Sequence, residues 1–95
     1  MSLLDVLKSG QYKLIDVREP LELEMDGFME GAVNIPLGEI ADHKEELLTS
    51  DVPVILYCRS GNRSGKALEY LITQGLQNGF NGGGYQDLKE TFESM

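Results

Sequence analysis

The 95-residue chain has one cysteine, one histidine and no tryptophan. A single cysteine cannot close an internal disulfide, and a lone thiol suits a reducing compartment. With one histidine and no second cysteine, the chain lacks the soft ligands of a zinc-type cage, so neither a metal nor a cofactor is expected. No apolar run approaches the ~20 residues that a bilayer span requires. The N-terminal stretch MSLLDVLKSG lacks the basic and long apolar regions of a secretory signal. A cytoplasmic protein without membrane association is expected. Positive charge is scarce too: 8 Lys and Arg against 16 Asp and Glu give a net charge of −8. That balance disfavours a phosphate backbone, and no nucleic-acid partner is expected.

What remains is an ordinary globular composition, 41% hydrophobic and 25% charged, of a length that suits one domain over residues 1–95. A monomer is expected. Leu3, Leu4, Val6 and Leu7 predict a short helix, with Ser2 as its N-cap and Gly10 past its end. YKLIDV (12–17) reads as a strand, and EPLELEM as a short helix with Pro20 in its first turn and Gly27 ending it. GAVNIP gives a strand centred on Val33 to Ile35. EIADHKEELL has helical spacing with Ile40, Leu47 and Leu48 inward. VPVILY (52–57) is continuously apolar, as in a parallel strand buried on both faces. A helix follows with Ala67, Leu68, Leu71 and Ile72 as its apolar repeat, then a short strand at NGF (78–80) and a closing helix, YQDLKETF. Strands alternating with helices predict an α/β fold, an open and mostly parallel sheet of four to five strands flanked by helices.

Functional groups in such sheets gather beyond the carboxyl ends of the strands, where Cys58 falls. A sulfur between a buried strand and a helix sits beside the unpaired N–H groups of the first helical turn, which favour an anion. The helix dipole contributes on the order of 0.3–1 kcal/mol, enough to lower a thiol pKa by only about one unit. Arg59 and Arg63 are therefore expected to supply the rest, on a loop whose mouth stays open to solvent. Arg59, Arg63 and Lys66 form a basic island, since no Asp or Glu occurs from Val52 through Leu68. Gly61 and Gly65 let the backbone curl, and Ser60, Asn62 and Ser64 add polar side chains. A small buried core thiol is the plain alternative for Cys58, but it accounts for neither the basic island nor the glycines.

The stretch CRSGNRS (58–64) resembles the active-site loop of the rhodanese family. LIDVREPLELE (14–24) and GAVNIPL (31–37) resemble two upstream signatures of that family, in order and at suitable distances. The resemblance implies a single rhodanese-like domain and a sulfurtransferase of the thiosulfate type. Cys58 would carry a sulfane sulfur as a persulfide, cradled by the loop amides from Arg59 to Ser64. Arg59 and Arg63 would attract a small anionic donor such as thiosulfate, and cyanide, a small thiol or a thiol-bearing protein would accept the sulfur. The chain has Gly27, Phe28 and Met29 where the family often has Gly-His-Ile. The family's usual first strand is not visible before Ser2.

Asp16 and Arg18 follow a strand and are read as support for the loop, with Arg18 paired to Glu22 or Glu19. Met25, Phe28 and Met29 are read as core or half-buried packing, and His43 as a surface residue. NGGGYQ (81–86) is read as a glycine-rich turn before the last helix. A cysteine phosphatase or arsenate reductase is a second reading of the loop. Phosphatases of that kind place Arg six positions after Cys, whereas here Arg63 stands five after Cys58 and the sixth residue is Ser64. A non-catalytic binding module is a third reading, although such modules usually lack the cysteine.

Overall fold

The computed structural model describes residues 2–95. Its centre is β3 (Val54–Cys58), all five residues of which are buried. The strand alternates its side chains between two apolar layers, as a pleated strand must. Val54, Leu56 and Cys58 join Ile15, Val17, Ile35, Ile40, Leu47, Ala67 and Leu71 on one side. Ile55 and Tyr57 join Val6, Leu7, Leu14, Tyr85 and Leu88 on the other. A strand buried on both faces has no use for alternating polarity, which is why VILYC is continuously apolar.

β1 (Lys13–Asp16), β2 (Val33–Asn34), β3 and β4 (Gly79–Gly84) form one four-stranded sheet in the order β2-β1-β3-β4. Every neighbouring pair is parallel. The helices are α1 (Leu3–Ser9), α2 (Pro20–Asp26), α3 (Lys44–Leu48), α4 (Asn62–Thr73) and α5 (Tyr85–Glu93). Ser2 caps α1 through a reciprocal bond with Asp5, and Gly10 ends it in the left-handed conformation. Pro20 opens α2 where its missing N–H costs nothing.

Four sequence expectations are corrected. Leu37–His43 winds as a 3₁₀ helix before α3, so the stretch read as one helix is two, with Ile40 and Leu47 buried. Ile72 is 53% exposed because the buried stripe of α4 runs through Ser64, Ala67 and Leu71, and Ile72 lies past its edge. Met25 and Phe28, expected to pack inward, are 76% and 62% exposed. The glycines read as a turn are the body of β4, where a bulge opposite Leu56 and Tyr57 lets Gly82 go unpaired.

Candidate active site

Cys58 is the last residue of β3, and α4 begins four residues later. Between them Gly61 adopts φ 94°, which turns the chain so that its own N–H points back at the Cys58 sulfur, 3.0 Å away. A side chain at Gly61 would also approach the Gly83 backbone at 3.2 Å. Ser64, fully buried in the first turn of α4, brings its hydroxyl to 3.5 Å from the same sulfur. Burial pushes the Cys58 thiol up, but the Ser64 hydroxyl and the backbone amides of Ser64, Ser60 and Gly61 outweigh it and bring the thiol down to about 7.

The loop amides and Ser64 therefore do the work expected of the arginines. Arg63 donates to both carboxylate oxygens of Glu22, at 2.6 and 2.9 Å, from across the sequence. Its hydrogen bonds hold Glu22 down to about 2. This pairing also corrects the expected partner of Arg18. Arg59 and Asn62 are exposed, and Ser60 turns its hydroxyl toward the Asn62 amide at 3.5 Å. The sulfur itself is fully buried, not at an open mouth, because Cys58 still packs against the core while its polar contacts come from the loop.

Arg18 and Asp16 are both completely buried. Asp16 accepts from the Arg18 backbone N–H and from two guanidinium nitrogens, the shortest contact being 2.6 Å. Arg18 also donates to the Gly27 carbonyl at 2.9 Å and lies over the Tyr85 ring, 4.6 Å from its centroid. The pair ties β1 to the end of α2 and to the start of α5. Arg18, Asp26, Arg59, Tyr85 and Gln86 line a cleft of about 110 Å³ beside the loop. A larger cavity of about 260 Å³ lies along β1 and β2 and shares no residue with the loop.

Sequence reasoning missed Asn81. Its Oδ1 lies 2.7 Å from Ser64 Oγ, whose single proton is shared between Asn81 and the Cys58 sulfur, and accepts from the Gly83 N–H at 2.9 Å, while its Nδ2 donates to the Gly61 carbonyl at 3.1 Å. One side chain thus holds both groups that converge on Cys58. A lone asparagine among glycines in a strand was the available signal, since neither residue type favours strands. Gly84 belongs to the same device, because a Cβ there would stand 2.6 Å from the Arg59 carbonyl oxygen.

The rhodanese-like domain family matches residues 2–91, which take in the loop and both upstream signatures. The chain belongs to the rhodanese family. Among relatives, it is 46% identical over 69 residues to the uncharacterized protein YqhL of Bacillus subtilis, covering 73% of this chain and 53% of that protein. It is 39% identical over 79 residues to the thiosulfate sulfurtransferase PspE of Escherichia coli, covering 78% of this chain and 71% of PspE. The chain thus spans about half the length of YqhL. Among solved structures, a rhodanese with anions from E. coli superposes with a TM-score of 0.68 at 34% identity, over 80% of this chain and 89% of the other. The open parallel sheet and the strand-loop-helix around Cys58 are thus a rhodanese fold.

Proposed function

We propose that this rhodanese is a sulfurtransferase that carries a sulfane sulfur on Cys58 and acts as one monomeric domain over residues 1–95. The observation that supports it is the convergence of the Gly61 N–H and the Ser64 hydroxyl on a sulfur whose pKa is brought down to about 7. Such a sulfur is substantially thiolate at neutral pH, the form that attacks. Thiosulfate is the donor class favoured by the likeness to PspE, named as a thiosulfate sulfurtransferase.

In the first half-reaction the Cys58 thiolate attacks the outer sulfur of thiosulfate. The S–S bond to the sulfonate breaks, its electron pair leaves with sulfite, and Cys58 holds a persulfide. In the second, a thiolate or cyanide attacks the outer sulfur and the Cys58 sulfur takes back the pair. No oxidant and no proton donor is needed. The amides of Ser60, Gly61 and Ser64 would hold the persulfide anion, and exposed Arg59 would meet the donor. Because the sulfur is covered at rest, we place donor entry at the exposed Arg59–Asn62 segment. A free thiol suits a reducing compartment, and we place the protein in the cytoplasm. No helix among the described residues is long and apolar enough to cross a membrane.

The test is the intact mass of the chain after treatment with thiosulfate, beside thiocyanate release from thiosulfate and cyanide. A gain of one sulfur atom, absent in Cys58→Ser, is expected. Retained transfer in folded Cys58→Ser would overturn the covalent route.

A further inference from the structure

α2 turns one side toward the loop and leaves the other without cover. Glu22 reaches inward to Arg63 at the head of α4, and the Gly27 carbonyl just beyond the helix accepts from buried Arg18. Asp26 shares the cleft beside the loop with Arg59. The helix is therefore held at the head of α4 by Glu22, and the turn after it is held by buried Arg18, at the rim of the cleft that Arg59 also lines. Three exposed positions here are apolar where solvent calls for polar ones: Leu21 is 63% exposed, Met25, one turn later, 76%, and Phe28, just past the helix, 62%. Among the described residues these are the three most exposed large hydrophobics. They fall within eight positions of one another, whereas scattered single exposures need no explanation.

Along this segment of the chain the charge has one sign. From residue 19 to residue 30 the chain carries Glu19, Glu22, Glu24, Asp26 and Glu30 and no Lys, Arg or His. Glu22 is committed to Arg63, but Glu19, Glu24, Asp26 and Glu30 are exposed. An apolar centre with an acidic rim is complementary to an apolar centre with a basic rim. The same field works against a small dianion and for a cation, and the chain's net charge of −8 adds to it. Of the two loop arginines only Arg59 is left to oppose that field.

We propose that Leu21, Met25 and Phe28, with the acidic residues around them, form the docking surface for a protein acceptor that presents a cysteine thiol from a basic, apolar-centred face. The inference rests on the sulfur-carrying role proposed for Cys58 and names the partner class of that site. The acceptor's thiolate attacks the outer sulfur of the Cys58 persulfide. The acceptor becomes the persulfide, and the electron pair of the broken bond returns to Cys58. Docking beside the loop replaces a bimolecular thiol encounter by a positioned one, and steers it by charge.

The experiment uses the full chain loaded with sulfur from thiosulfate and two amphipathic helical peptides, each with one central cysteine. One peptide carries lysines at its polar positions and the other glutamates. Mass spectrometry follows sulfur transfer to each. The lysine peptide is expected to accept faster by about tenfold at low salt, with the advantage shrinking at high salt. Leu21→Ser/Met25→Ser/Phe28→Ser should slow the lysine peptide by about tenfold while leaving thiocyanate formation unchanged. Glu24→Lys/Glu30→Lys should reverse the preference between peptides. Equal rates for the two peptides, or a triple variant as fast as the parent, would overturn the docking surface. The lysine peptide with serine in place of cysteine, titrated against the unloaded chain by NMR, should shift residues 21–28. If no persulfide forms but this shift is seen, the sulfur-carrying role has failed and the surface stands. If the persulfide forms and no shift is seen, the surface alone has failed.

Discussion

The Arg63 guanidinium is bound to both carboxylate oxygens of Glu22 instead of lying open over Cys58. The pair joins α4 to α2 across 41 residues. A fork-on-fork contact of this kind is among the stronger surface interactions. It also ties up a cation beside the Cys58 loop, so Glu22 sets how much free positive charge the loop displays.

Glu22→Gln should therefore release that charge. The KM for thiosulfate is expected to fall, while stability drops by ~1 kcal/mol or less, because the pair is partly exposed. The carboxyl is held down to about 2, below its ordinary value. Its contribution to stability is thus present above the unfolded pKa and lost as pH falls toward about 2. Steady-state kinetics and urea melts read both effects; an unchanged or raised KM would show that Arg63 does not meet the donor.

Ionisation of Cys58 should follow the loop's donors. The rate of iodoacetamide alkylation is expected to rise with pH about a midpoint of about 7. Ser64→Ala should raise that midpoint by about one unit, since a hydrogen bond to a charged group contributes roughly 1.5–3 kcal/mol. Arg63→Ala should move it less, its charge being bound to Glu22. The depressed thiol also links folding to pH. Its contribution is full above the ~8.5 of an unperturbed thiol and is lost as pH falls through about 7.

Gly84→Ala should displace the reactive loop, because the new methyl would stand 2.6 Å from the Arg59 carbonyl oxygen, a backbone atom that cannot swing aside. Sulfur transfer should fall by at least about tenfold, with a stability cost of ~1–3 kcal/mol. Gly38→Ala, with nothing within 4 Å, serves as the control and should change neither.

Asp16→Ala should be the most damaging of these substitutions to the fold. It strands a completely buried guanidinium whose Nη1 already lacks a hydrogen-bond partner. Breaking a buried pair in this way costs about 3–5 kcal/mol. Thermal melts should show the loss, and Asp16→Asn should recover part of it by still accepting from Arg18.

Local chemistry settled much of this before any tertiary contact is considered. An uninterrupted apolar run specifies a central parallel strand, and Ser2, Pro20, Gly10 and Gly27 punctuate helices by capping rules that act within a few residues. Cys58 at a strand-to-helix junction, followed by small and basic residues, marks the candidate site for the same local reason. Partner choice is another matter. That Arg63 takes Glu22, and that Asn81 holds both Ser64 and Gly61, depends on which elements lie side by side. The order β2-β1-β3-β4 is a property of the whole chain's burial and not of any window within it. The sequence thus determined which residues carry charge and a thiol and where the chain turns. Only the tertiary structure decided which charges neutralise one another, because an ion pair depends on distance in space, and spacing along the chain leaves that distance open.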